Sequence, residues 1–204
     1  MTAVDPAGRL ARAIDATGEL ITGVRADQWA DPTPCPEWTV RSLLNHLVFG
    51  MRRYIGILNG QPPLPADDVP RLRAIDQLGD DPAGAYRAAG AGLMAVAGRP
   101  GIGERSFAIP IGTVPGAVAL HILTTEVLVH GWDVARATGQ PARLPESVAE
   151  LELAFTRRQL PPDVPRTNPS FGPAQQISDD APAIDRLAAY LGRPVTPAGP
   201  ASSR

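Results

Sequence analysis

The chain has 204 residues, a net charge of −2 and a pI near 5.9, which allows a buried core but offers no basic surface for a nucleic acid or an anionic membrane. A single cysteine, Cys35, excludes an internal disulfide and any Cys-rich zinc motif, so a metal here must use His and carboxylate ligands. All 19 basic residues are Arg, and Ala, Gly and Pro are abundant, which matches the codon bias of a GC-rich genome.

The first amphipathic helix is expected over residues 6–28, with Leu10, Ile14, Leu20, Ile21 and Val24 near helical spacing behind an Asp5 cap. Three prolines, Pro32, Pro34 and Pro36, make the next segment a connection, after which Thr39 caps a second helix. That helix carries His46 and continues through Phe49, Tyr54 and Leu58 to the stop signal Asn59-Gly60. Residues 61–70 read as a Pro-rich loop, and residues 82–98 as a third helix weakened by Gly84, Gly90 and Gly92. Between 99 and 113 only Phe107-Ala108-Ile109 stands out, as a brief strand or an extended lead into the next helix. The fourth helix, residues 115–138, is the strongest: Pro115 suits its first turn, and Gly139 with Pro141 ends it. A fifth helix at 145–160, a Pro-rich loop at 161–173 and a short sixth helix at 181–191 follow, with a disordered tail after Gly192. The expected class is all-α. Residues 1–140 form a metal-binding four-helix bundle and 141–204 a helical C-terminal extension of the same domain. No apolar run of about 18 residues and no signal-peptide pattern is present, so a cytoplasmic protein is expected.

Chemistry concentrates in Glu126-Val-Leu-Val-His130-Gly-Trp-Asp133. At about 100° per residue, Glu126 and His130 differ by about 40° and Asp133 lies within about 20° of Glu126, so all three share one helix face. His46, inside the apolar run Leu43-Leu44-Asn45-His46-Leu47, supplies a third ligand from a second helix. His46, Glu126 and His130 would then hold a divalent metal and leave one position open, as catalytic sites do. Asp133 would orient a ligand or ligate directly. His121 points about 140° away from Glu126 and about 180° from His130, and stays outside this set. Each residue also has a plainer reading. A lone His in an apolar helix is more often a hydrogen-bonded core residue, an i,i+4 Glu–His pair is usually solvated, and Trp38 and Trp132 read first as core aromatics or else as pocket walls. Against the solvated reading, Val127, Leu128 and Val129 leave little polar face around Glu126, and a buried carboxylate needs a strong partner. Cys35 has no His or cationic neighbour in sequence and reads as an inert or exposed thiol.

The runs Pro34-Cys-Pro-Glu-Trp-Thr-Val-Arg-Ser-Leu-Leu-Asn-His46-Leu47 and Glu126 to Gly139, with Phe171-Gly-Pro173 and the end through Leu191-Gly-Arg193, resemble the DinB-like superfamily. More narrowly, they are similar to its actinobacterial branch around mycothiol-dependent maleylpyruvate isomerase. The resemblance implies a four-helix bundle whose metal, often zinc and sometimes nickel, is held at the positions of His46, Glu126 and His130. It also implies a low-molecular-weight thiol such as mycothiol or bacillithiol, used in isomerisation or in S-transfer to an electrophile. The sequence departs from that pattern twice. The isomerase carries a further C-terminal domain, whereas about 60 residues follow the metal helix here, and Ser42 stands where the family usually has an acidic residue, a helix-capping difference.

The function expected from these features is a metal- and thiol-dependent transferase or isomerase, with zinc or nickel and a mycothiol-type thiol as cofactors and a small electrophile as partner. Arg52 and Arg136 are assigned to anionic parts of the substrate. Hydrolysis by a metal-bound water, a non-catalytic metal- or ligand-binding bundle and a purely structural polar network are the alternatives. A homodimer fits the surplus of apolar positions.

Overall fold

A computed structural model describes residues 5–36, 38–162 and 172–195. They form α1 (Pro6–Thr22), a 3₁₀ turn (Ala26–Gln28), α2 (Val40–Leu58), α3 (Asp68–Arg73) and α4 (Pro82–Ala97). A hairpin of β1 (Ser106–Ile109) and β2 (Gly112–Pro115) follows, then α5 (Gly116–Thr138), α6 (Glu146–Gln159) and α7 (Ala183–Tyr190). The chain divides into two compact units, Met1–Pro145 and Glu146–Arg204. Residues 163–171 of the expected Pro-rich loop, and the expected tail from 196 onward, lie outside the described residues.

In the first unit α1 packs on α4 and α5, and α2 packs on the same two helices, which closes a four-helix bundle. Leu10 and Ile21 of α1, Leu43, Leu44 and Leu58 of α2, Leu93 of α4, and Leu120 and Leu128 of α5 are almost fully buried. Each such side chain contributes about 2 kcal/mol of transfer free energy. The glycines that weaken α4 in isolation have a packing reason at Gly90, where a Cβ would come within 2.8 Å of Ile14 Cγ2.

Gly131 does the same between α1 and α5. Thr17 Oγ1 donates to the Val127 carbonyl at 3.1 Å, and a Cβ on Gly131 would meet that hydroxyl at 2.4 Å. Gly131→Ala is therefore expected to destabilise the bundle by about 1–3 kcal/mol, although Ala is the better helix former. Denaturant unfolding checks this. Thr17→Ala in the same chain should recover most of the loss, and an unchanged midpoint for the single variant would contradict the close approach.

Two expectations need correction, and of the two readings of the Phe107 piece the brief strand holds. The first helix ends at Thr22 because Gly23 caps it, and residues 26–28 form only a 3₁₀ turn. The loop after Gly60 contains a helical turn, Asp68–Arg73; Pro70 falls in its first turn, where a missing N–H costs nothing. The piece around Phe107 pairs with β2, with Phe107 opposite Val114. In the second unit α6 and α7 pack together, with Ala183 N donating to Glu146 Oε1 at 2.7 Å and Arg186 paired with Glu150. Among the described residues no helix is long and apolar enough to cross a membrane.

Candidate metal centre

The turn before α2 sets the site. Thr39 Oγ1 accepts from Ser42 N at 3.2 Å while Ser42 Oγ accepts from Thr39 N at 2.9 Å, a reciprocal cap. Thr33 N donates to the Trp38 carbonyl, and Val40 N and Arg41 N donate to the carbonyls of Asp31 and Trp29. This short ladder holds the Trp38 ring 4.6 Å from the His46 ring and 5.7 Å from that of His130. Trp38 is thus a wall of the site, whereas Trp132 is fully buried core.

α2 and α5 bring His46, Glu126 and His130 together. His46 Nε2 and His130 Nε2 each lie 3.4 Å from the same oxygen, Glu126 Oε2, and one donor atom from each of the three residues falls within 4.8 Å of the others. A separation of 3.4 Å is long for a charge-assisted hydrogen bond, which runs about 2.7–2.9 Å. It matches the edge of a tetrahedron with metal–ligand bonds of about 2.0–2.1 Å, which is about 3.3–3.4 Å. The rings of the two histidines meet edge to face, with centroids 5.2 Å apart. Asp133, fully buried, accepts from His130 Nδ1–H at 2.9 Å, so that Nε2 faces Glu126, as a donor when the ring is protonated and as a ligand when it is neutral. Asp133 therefore stands behind His130 and orients it, as metal-bound histidines usually require. His46 Nδ1 is buried without a hydrogen-bond partner, and its ring is held by a tilted contact with Trp38 and by Glu126 at Nε2.

The family model described as mycothiol maleylpyruvate isomerase N-terminal domain matches residues 10–135. The chain belongs to this family. Uncharacterized protein MT0763 of Mycobacterium tuberculosis (strain CDC 1551 / Oshkosh) is 36% identical over 192 residues, covering 94% of this chain and 100% of that protein. Uncharacterized protein Rv0738 of strain ATCC 25618 / H37Rv matches to the same extent. The crystal structure of the mycothiol-dependent maleylpyruvate isomerase superposes with a TM-score of 0.59 at 16% identity, over 76% of this chain and 71% of that one. A histidine-to-alanine mutant of that enzyme gives 0.61 over the same shares. The fold of this isomerase-family domain is accordingly the all-α, DinB-like four-helix bundle.

Electrostatics in the family domain favour a cation at the triad. Burial pushes the Glu126 carboxyl up, but hydrogen bonds and charge from His130 and His46 outweigh it and hold it well below the usual carboxylate range, while 39% of the side chain stays open to solvent. Burial pushes His130 down, yet Asp133 and Glu126 raise it to about 9. Burial lowers His46, aided by the charges of His130 and Arg73 and opposed by Glu126. Without metal at neutral pH, His130 is protonated and His46 neutral, so a proton on His130 competes with any metal. Metal affinity is expected to rise about tenfold per pH unit up to about pH 9 and to flatten above it. Competition against a chelator at several pH values measures this; a flat profile below pH 9 would contradict it.

A cavity of about 460 Å³ opens on His46, walled by Trp38, Asn45 and Arg73. Asn45 ties its far side in place, donating to the carbonyls of Arg73 and Ile75 and accepting from Gln77 N at 2.7 Å. Arg41 secures the same segment through Asp76 at 3.1 Å. Arg73 lies with its guanidinium 5.9 Å from the Trp38 ring centre and reaches His46 electrostatically. Of the two arginines expected to meet an anionic substrate, neither lines this cavity: Arg136 stacks on Trp132, and Arg52 donates to Gln77 Oε1 at 2.6 Å around a different cavity. Arg73 was not legible in sequence, because it depends on the path of an irregular segment, and Trp38 takes the pocket-wall reading that stood second to a core aromatic. Tyr54 was missed as well. Burial and the charge of Glu126 push its hydroxyl up to about 12, so it remains a proton donor. His121 pairs with Arg9 at 3.2 Å, away from the triad.

Proposed function

We propose that this family member is a divalent-metal-dependent enzyme that uses a mycothiol-type thiol in an isomerase or transferase reaction on a small electrophile. The observation that carries the reading is the shared 3.4 Å spacing of two imidazole nitrogens around one Glu126 oxygen, with a cavity of about 460 Å³ that reaches the triad at His46. The named activity of the structural neighbours supports a thiol. His46, Glu126 and His130 hold the metal in this reading, and zinc is the ion proposed, because two imidazoles and one carboxylate with a further position open are the donor set of catalytic zinc. When bound, the metal lowers the pKa of a coordinating thiol and so provides a thiolate at neutral pH. Asp133 keeps His130 in the ligating tautomer. Trp38 excludes water from one side of His46, and Arg73 orients an anionic group of the electrophile through the planar fork of its guanidinium.

Following the consumption of maleylpyruvate and of a chloronitroarene, with and without mycothiol, tests the reading. Turnover of at least one of them is expected to require both thiol and zinc, and to fall at least a hundredfold in His46→Ala. Equal turnover in thiol-free buffer would assign the site to a metal-dependent hydrolase instead.

A further inference from the structure

One turn pair beyond His46 on α2, Arg52 and Arg53 meet a separate cavity of about 280 Å³. Arg53 follows His46 by seven residues, about 10 Å along the helix axis. Phe49, Leu64 and Leu72 give the cavity apolar walls, Gln77 adds an amide, and no Asp or Glu among the described residues lines it. Arg53 Nε is buried and has no hydrogen-bond partner, and its guanidinium joins no ion pair or hydrogen bond among the described residues. Arg52 spends one N–H on Gln77. At the rim Ile75 is one of few large apolar side chains left exposed.

Two like charges facing one apolar space repel each other, and a buried guanidinium N–H without an acceptor is costly. An anion relieves both at once. The apolar walls disfavour a fully hydrated phosphate but suit a carboxylate with a hydrocarbon body. The volume sits below that of most drug-sized ligand sites, which limits the body to a short chain or a single ring. We propose that this cavity binds a small amphiphilic monocarboxylate, its carboxylate taken by Arg53 with Arg52 and its apolar body by Phe49, Leu64 and Leu72. The site does not depend on the metal reading.

Titrating hexanoate, acetate and inorganic phosphate into the full-length protein, while following arginine Nε–H resonances by NMR, tests this. Hexanoate is expected to saturate, to shift the Arg53 Nε–H signal and to bind at least tenfold more tightly than acetate or phosphate. Arg53→Gln should weaken it at least tenfold. Arg52→Gln, at an exposed position that should tolerate it, should weaken it at least threefold, which keeps the test decisive where Arg53→Gln fails to fold. Glu126→Gln should leave hexanoate binding unchanged, which separates this cavity from carboxylate capture by the metal. Equal affinity for acetate and hexanoate, tighter binding of phosphate, no saturation, an unchanged affinity in the folded arginine variants, or loss in Glu126→Gln would each overturn the proposal.

Discussion

Stripped of metal and titrated with zinc, the protein is expected to take up one ion per chain, and both Glu126→Gln and His46→Ala to bind it at least a hundredfold more weakly. Structural zinc sites with four ligands contribute about 10–16 kcal/mol, so each ligand carries about 2.5–4 kcal/mol, a factor of about a hundred to several hundred. Glu126→Gln is the more informative of the two. It preserves volume at a partly exposed position and removes the charge both histidines face. Zinc at a thousandfold excess over Kd should stabilise the wild-type chain by about 4 kcal/mol, roughly 10 °C in the melting transition of the bundle, and neither variant by more than a fraction of that. A purely structural polar network gives a different pattern: His46→Ala would melt earlier by the same margin with and without zinc.

Asp133→Ala is expected to cost about 3–5 kcal/mol in the metal-free protein, because it leaves the raised, protonated His130 buried without its nearest carboxylate. The pH dependence identifies the cause. His130 in the folded chain binds its proton up to about pH 9, against about 6.5 when unfolded, so its pairing stabilises fully below about pH 6.5 and is lost as pH rises through about 9. The difference between wild type and Asp133→Ala should therefore shrink between pH 6.5 and 9. Asp133→Asn, which can still accept from Nδ1–H, should fold better than Asp133→Ala yet bind zinc about 10–100-fold more weakly than wild type. Chemical unfolding at several pH values, with zinc titrations alongside, reads both effects. A stability difference that persists unchanged at pH 9.5 would contradict the role given to the pair.

The triad was legible because helical periodicity is a strong signal and α5 is long and well punctuated: four-residue spacing put Glu126 and His130 on one face, and Asp133 followed by arithmetic. The pairing of α2 with α5 in space could be guessed only from the helix count. What surrounds the triad was only partly legible. Trp38 reaches His46 because a short ladder folds the Pro-rich turn back on itself, and Arg73 arrives through a helical turn hidden behind Pro70. Neither segment has a periodic pattern. Arg136 lies away from the cavity at His46 for a simple reason: ten residues past Glu126 it has rotated about 80° off the site face, where Trp132 offers its ring. Gly131 reads as ordinary in sequence, and its necessity appears only once Thr17 is seen against it.

X-ray absorption at the zinc edge, on the loaded protein before and after adding mycothiol, tests the central claim most directly. Nitrogen and oxygen neighbours alone at about 2.0–2.1 Å, joined by a sulfur at about 2.3 Å once the thiol is present, is the result expected of a metal held by His46, Glu126 and His130 with a position open to thiol. A shell that excludes sulfur at saturating thiol would contradict it.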